Sequence, residues 1–264
     1  MRVALKERRT CLAGPRKRHD RERWMWVLVG LAAKLEALYG RSVRLAPREQ
    51  VESDAEAIIG SSVERDVALL VVGDPLCATT HTDLVLRARR LGAKVEIVQN
   101  ASVMAGVARC GLQLYRFGQT VSIPLFEGDW RPLSFYDKVA LNRAQDVHTL
   151  CLLDIKTREP DFGLLAKTGR LTYLPPRFMT VGQAIAQLFE AEAERQTGAC
   201  AREVAAVAVA RLGRPDEAIV AATLGDLADF DLGGPLHSLV VCAPTLHDLE
   251  LEFLEQFRPR ETAS

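Results

Sequence analysis

From residue 27 onward, short apolar runs rich in β-branched residues alternate with segments whose apolar positions recur every three or four residues. This alternation predicts an α/β protein, in which crossover helices cover a largely parallel sheet. The apolar run Val67–Val72 suits a strand buried on both faces, and Gly73-Asp74-Pro75 ends it abruptly. Thr80 and Asp83 have the spacing of a capping box for a helix over Asp83–Leu91. Arg87, Arg89 and Arg90 suit the negative end of that helix, and Gly92 can close it in a left-handed conformation. Val95–Val98 reads as the next strand, completing a βαβ unit with a right-handed crossover. Farther along, Thr120–Leu125 and His148–Ile155 read as strands around a helix that Ser134 can cap. Thr180 and Gln183 form a second capping box, ahead of a helix face made of Val181, Ala184, Ile185, Leu188 and Phe189. Val204–Ala210 and Leu236–Val241 are further strands. Leu246, Leu249, Phe253, Leu254 and Phe257 mark a last amphipathic helix that Pro259 stops.

A chain of 264 residues holds one large domain or two modest ones. With 48% hydrophobic and 26% charged residues it has the composition of an ordinary globular protein. The formal net charge is zero, so no overall field favours nucleic acid or an anionic membrane. The charge is unevenly spread: residues 1–23 carry nine basic side chains against three acids, a local +6 that the rest of the chain balances. The six cysteines are scattered with no C-x-x-C pair, which favours reduced cytosolic thiols over a disulfide framework or a zinc site. The basic start and the apolar run Trp24–Ala33 superficially resemble a secretory signal. However, acids interrupt the charged region and no A-x-A site follows. The run is also shorter than the roughly 20 residues a membrane span needs. Glu7, Asp20 and Glu22 likewise weaken a mitochondrial transit peptide, and a cytoplasmic protein is expected. There are no repeats. The expected organisation is a basic segment at 1–26, an N-terminal α/β domain at 27–114 and a C-terminal α/β domain at 115–264.

In open α/β sheets ligands bind beyond the carboxyl ends of the strands. That rule singles out Gly73–Cys77, then Asn100–Val103, then Leu153–Asp154. Gly73 permits close backbone approach, Pro75 stiffens the loop, and Asp74 offers a carboxylate. Spacing alone favours an ordinary turn, because such tripeptides are common turn formers. The chain contains neither G-x-x-x-x-G-K-[ST] nor G-x-G-x-x-G nor G-x-S-x-G, so a P-loop, a dinucleotide fingerprint and a hydrolase elbow all lack support. His19, His81, His148, His237 and His247 form no close pair, which argues against a metal enzyme. His81 beside capping threonines fits a structural role, while His237 at a strand start fits a satisfied side chain or a ligand contact.

Several longer strings are more distinctive. Val71-Val-Gly-Asp-Pro75 with Ala78-Thr-Thr-His-Thr-Asp-Leu-Val-Leu-Arg87, and Asn100-Ala-Ser-Val-Met104, resemble the diphthine synthase family. So do Cys110-Gly-Leu-Gln-Leu-Tyr115, Thr120-Val-Ser-Ile-Pro124 and His148-Thr-Leu-Cys-Leu-Leu-Asp-Ile-Lys156. Pro175-Pro-Arg-Phe-Met179 and Gly234-Pro-Leu-His-Ser238 continue a resemblance that spans about residues 27–257 and has the wording of the eukaryotic branch. It implies the tetrapyrrole-methylase fold, with two α/β domains, S-adenosylmethionine in the cleft between them, and usually a homodimer. It also implies methylation of a modified histidine on translation elongation factor 2, three times at the amine and once at the carboxylate. Carried over by motif, the donor-contacting positions are Asp74, Cys77, Ser102, Val103, Leu153, Leu212 and His237, many acting through their backbone. No catalytic residue and no metal ligand are implied, because methyl transfer from an activated sulfonium needs chiefly orientation.

Two departures qualify the resemblance. The family opens with a strand running into a G-x-G-x-G-D loop, and that wording is absent here, so the parallel sheet of the N-terminal domain is expected to be incomplete. The apolar stretch Trp24–Val29 is available to fill the vacancy. Cys77 stands where the family commonly has a small residue. The same departures define an alternative reading: a family member with an impaired donor site that acts only by binding, or a mis-assigned gene start.

Overall fold

A computed structural model describes residues 2–3, 24–27, 32–157 and 159–259. The chain divides into two compact units, Met1–Ser102 and Val103–Ser264.

The first unit is built on a sheet whose strands run in the order β1-β4-β2-β3. They are β1 (Arg2–Val3), β2 (Trp24–Val27), β3 (Val43–Leu45) and β4 (Val67–Leu70). The apolar stretch at Trp24 fills the expected vacancy. β2 lies between β3 and β4 and pairs parallel with both, Trp26 opposite Arg44 on one side and Leu69 on the other. Leu28 and Val29, the rest of that stretch, lie outside the described residues. β1 runs antiparallel along the other side of β4. Helices α1 (Ala32–Tyr39), α2 (Arg48–Ser53), α3 (Glu56–Ile59) and α4 (His81–Arg90) complete the unit. A core of Ala46, Val51, Ile58, Ile59, Leu69 and Leu84 forms where the last three helices meet β4.

Two local expectations fail here. Thr80 does not make a capping box: its hydroxyl donates to Glu52 Oε1 at 3.3 Å, while Asp83 pairs with Arg87 one turn on at 2.7 Å. Gly92 does adopt the left-handed conformation that ends α4, with φ +85°. The strand expected at Val95–Val98 does not form. β4 is flanked by β2 on one side and, at Leu69 and Leu70, by β1 on the other, and Val95, Ile97 and Val98 are left half-buried.

The second unit runs from Val103. Val107, Cys110 and Leu112 pack with Leu150, Val207 and Val240, so the stretch after Ser102 shares that core. It opens with α5 (Val103–Gly106) and two short 3-10 turns. A five-stranded mixed sheet follows in the order β10-β9-β11-β6-β5. Its strands are β5 (Val121–Ile123), β6 (Thr149–Leu153), β9 (Ala205–Ala210), β10 (Ala218–Thr223) and β11 (His237–Val241). β5 and β6 are parallel and the remaining pairs antiparallel. A side ribbon joins β7 (Ile155–Lys156) to β8 (Arg177–Phe178), with α7 (Phe162–Thr168) between them in sequence. One face of the sheet is covered by α6 (Ser134–Ala144), α8 (Val181–Arg195) and α9 (Leu224–Leu227). The predicted box of α8 is present in both directions, with Gln183 N donating to Thr180 Oγ1 and Thr180 N to Gln183 Oε1. Ser134, expected to cap α6, is instead its first helical residue, and Leu133 holds the cap position without a side-chain bond.

The last helix, α10 (Asp248–Glu255), breaks the expected apolar face. Leu249 and Phe253 are 64% and 43% exposed, and Glu250 is fully buried. Its carboxylate collects four donors: the amides of Gln113 and His247 and the Arg116 guanidinium, each at 2.9 Å, and His148 Nε2 at 3.1 Å. Burial pushes this carboxyl up, but the amides of Gln113 and His247, followed by His148, hold it below the ordinary carboxylate range. Periodicity gives no hint of a buried Glu250, because nothing in its neighbours announces four convergent donors.

Candidate functional site

The loop leaving β4 is shaped by its own residues. Gly73 has φ +92°, a conformation that favours glycine, and a Cβ there would stand 3.6 Å from the carbonyl oxygen of Ala101. The loop backbone therefore lies against the 100–102 segment. Asp74 fastens the two together: Oδ1 accepts from Leu76 N at 2.9 Å and Cys77 N at 3.2 Å, and Oδ2 accepts from Asn100 N at 3.0 Å. The Asn100 amide, then the Leu76 amide, holds this carboxyl below its usual range, so it stays ionised through neutral and mildly acid conditions. Behind the loop, buried His81 places Nδ1 2.6 Å from Thr79 Oγ1 and 3.2 Å from Pro75 O, and burial lowers its proton affinity. Asp74, Cys77 and Ser102 thus come together in the first unit, Asp74 as a staple and Cys77 as one of the amides stapled. Ser102 and Cys77 are both half-buried.

The remaining predicted positions lie in the second unit. Val103 is the first residue of α5. Leu153 ends β6 and His237 begins β11, and because Ser238 pairs with Leu152 these two residues share one end of the sheet. Ala210, the last residue of β9, pairs with His237, which brings Leu212 to the same end. Leu212 also lies beside α5, its Cδ1 3.7 Å from where a Cβ on Gly106 would stand. Sequence-distant Leu153, Leu212 and His237 are therefore collected at one strand end, with Val103's helix alongside.

His237 is buried, and its Nε2 donates to the carbonyls of Gly233 and Gly234, both at 3.0 Å. Its Nδ1 is enclosed and has no hydrogen-bond partner among the described residues. Motif reasoning did not single out Arg211, which works on the same loop. Its Nη1 donates to Leu232 O at 2.9 Å and to Gly234 O, its Nε donates to Asp216 O at 2.8 Å, and its backbone amide donates to Leu236 O at 3.0 Å. The only sequence signal is a cation directly after the apolar strand Ala205–Ala210, at a residue that takes φ +51°. Each loop system is thus held in shape by its own side-chain-to-backbone bonds, the first by Asp74 and the second by Arg211 and His237.

Comparison with known proteins identifies the family. Residues 31–228 match the family described as Tetrapyrrole (Corrin/Porphyrin) Methylases. The chain is 50% identical over 238 residues to the diphthine methyl ester synthase of Gibberella zeae, covering 89% of this chain and 83% of that protein. It is also 50% identical over 224 residues to the diphthine methyl ester synthase of Saccharomyces cerevisiae, covering 85% and 74%. A putative diphthine synthase from Entamoeba histolytica, of known crystal structure, superposes with a TM-score of 0.77 at 38% identity, over 90% of this chain and 88% of that one. These likenesses favour the enzyme over the reading of a donor-impaired binding protein. The chain belongs to the diphthine methyl ester synthase family of tetrapyrrole methylases, a family of S-adenosylmethionine-dependent methyltransferases.

Proposed function

We propose that this protein methylates the modified histidine of translation elongation factor 2, at its amine and at its carboxylate, with S-adenosylmethionine held by Asp74, Cys77, Ser102, Val103, Leu153, Leu212 and His237. The observation that carries the reading is the collection of these seven positions into two tight loop systems, one on each unit. The donor set fits the ligand chemically. Leu153, Leu212 and Val103 offer apolar surface of the kind that packs on an adenine face. The glycine-bearing loops let backbone groups approach polar atoms of the nucleoside. When bound, the sulfonium supplies an already activated methyl group.

This chain's residues then have a positional task. Asp74 keeps the β4 loop and the 100–102 segment in register, Leu153 and Leu212 exclude water, and the carbonyls gathered by His237 and Arg211 fix the course of the 232–236 loop. Proximity and alignment of this kind are worth on the order of 7–11 kcal/mol in favourable cases, so a dedicated base at the donor is not required. A homodimer working in the cytoplasm belongs to the same family reading. Among the described residues no helix is long and apolar enough to cross a membrane.

The test is incubation of the purified chain with methyl-labelled donor and elongation factor 2 from cells blocked before the methylation step. Label on the modified histidine, part of it lost on mild alkaline hydrolysis of the ester, is the expected result. Donor binding without transfer would sink the substrate assignment, and absence of donor binding would sink the site.

A further inference from the structure

We propose that Arg211 is a positioning residue for the donor site, acting through the Leu232–Leu236 loop to fix the tautomer and ring orientation of His237. The inference rests on the donor-site reading above and adds to it a residue that contacts no donor itself.

Arg211 is embedded enough to act as a brace, its side chain only 12% exposed. The guanidinium spends its fork on backbone oxygens at two places: Asp216 on one side, Leu232 and Gly234 on the other. Its own carboxylate partner, Asp216 Oδ2, lies 3.1 Å from Nε and half-exposed. Most of its bonding therefore serves to hold main chain. Gly233, with φ +74°, passes beneath the guanidinium, a Cβ there standing 3.6 Å from Nη2.

The oxygen of Gly234 is shared. It accepts from Arg211 and from His237 Nε2, and Gly233 O accepts from His237 Nε2 as well. Two carbonyl acceptors on Nε2 require that nitrogen to carry the proton, so the neutral ring is the Nε2–H tautomer. Among the described residues its Nδ1 has no hydrogen-bond partner to reinforce that choice. The ring's orientation thus hangs on the two glycine carbonyls; Arg211 holds Gly234 O directly and brackets Gly233 through Leu232 O, while Asp231 Oδ1 accepts from Gly233 N at 2.8 Å. Glycines have no side chain of their own to pack, so a cation at the end of a different strand bears on the histidine through their backbone. Arg211 also stands between Ala210, which pairs with His237, and Leu212. Loss of the brace should therefore disturb two donor-contacting positions together.

The test uses the full chain with Arg211→Met, Arg211→Lys and the milder Asp216→Ala. Ring nitrogen spectra of His237 are recorded, and S-adenosylhomocysteine is titrated by calorimetry. Wild type should show a single Nε2–H tautomer. Arg211→Met should show a tautomer mixture, bind S-adenosylhomocysteine about tenfold more weakly, and raise the donor KM while kcat at saturating donor stays within about twofold. Lysine should restore part of the affinity and Asp216→Ala should lie between wild type and lysine. If folded Arg211→Met keeps the wild-type His237 spectrum, or if methionine and lysine are equally weak, the brace is refuted. Should Arg211→Met fail to fold, an unchanged His237 spectrum and unchanged affinity in both other variants refute it. If wild type itself does not bind S-adenosylhomocysteine, the donor-site reading fails, and the brace of His237 still stands or falls on the spectra.

Discussion

Replacing Glu250 by alanine strands several donors at once. His148 is fully buried and its Nδ1 accepts from Ala243 N at 3.0 Å, so its proton sits on Nε2 and points at Glu250. Removing the carboxylate leaves that N–H and the amides of Gln113 and His247 without their acceptor. Arg116 is better provided, since its Nη2 still reaches Asp146 Oδ2 at 3.1 Å and Thr245 O at 2.8 Å. Breaking one partner of a buried ionic cluster costs about 3–5 kcal/mol. For a unit of this size, each kcal/mol moves the midpoint by about 2–4 °C, so thermal unfolding should shift down by about 6–20 °C. Glutamine should be little better, because its amide hydrogens would face donors. The pH profile is a second readout. Burial lowers the proton affinity of His148, and Glu250 is held below its ordinary range, so both groups release protons more readily folded than unfolded. Each therefore stabilises the fold at pH above its unfolded value and loses that contribution as pH falls. Wild type should begin to lose midpoint below about pH 6.5, where unfolded histidine takes up its proton, and lose more below about pH 4.5. Differential scanning fluorimetry across pH 4–8 measures both effects. A shift under about 3 °C for Glu250→Ala, or a midpoint that rises on acidification, would refute the reasoning.

Three further outcomes are expected. Asp74→Ala should weaken S-adenosylhomocysteine binding in calorimetry and Asp74→Asn should keep part of it, since one oxygen can still accept; equal affinity in all three proteins would contradict the staple. Thr180→Ala removes one half of a two-way capping box and should cost about 1 kcal/mol, read as a shift of about 2–4 °C in the melting midpoint. Gly111→Ala combines φ +89° with a Cβ that would overlap the Phe253 ring, so it should cost more than about 1 kcal/mol; adding Phe253→Ala should recover the steric part only, as a double-mutant cycle would show.

The parts of the fold legible in the sequence were those written in local terms. Thr180 and Gln183 announce their box because both members lie within one turn, and the strands β6, β9 and β11 announce themselves as apolar runs. Val95–Val98 shows the limit: its residues favour a strand, but a strand exists only where it finds a partner, and β4 is already paired with β2 and, at Leu69 and Leu70, with Arg2–Val3 from far upstream. Thr80 fails similarly, its hydroxyl drawn to Glu52 on another helix. β10, Ala218–Thr223, was not anticipated, being short of large apolar residues and dependent on β9 for its register. In the candidate site, the resemblance of whole strings supplied Asp74 and His237, whereas Arg211 stayed invisible because its partners are backbone oxygens, which carry no residue-type signal.

The stapling of the β4 loop by Asp74 also bears on how fast and how selectively a ligand is captured. Three amides of two separate segments answer to one carboxylate, so the backbone proposed above to meet the donor is already in shape before any encounter. Fixing a backbone residue costs about 1–2 kcal/mol of entropy, and residues ordered during folding need not be ordered again on association. Such a surface acts as a fixed mould: capture should follow simple one-step kinetics, and analogues that do not match the mould should be rejected by poor fit rather than accommodated by rearrangement.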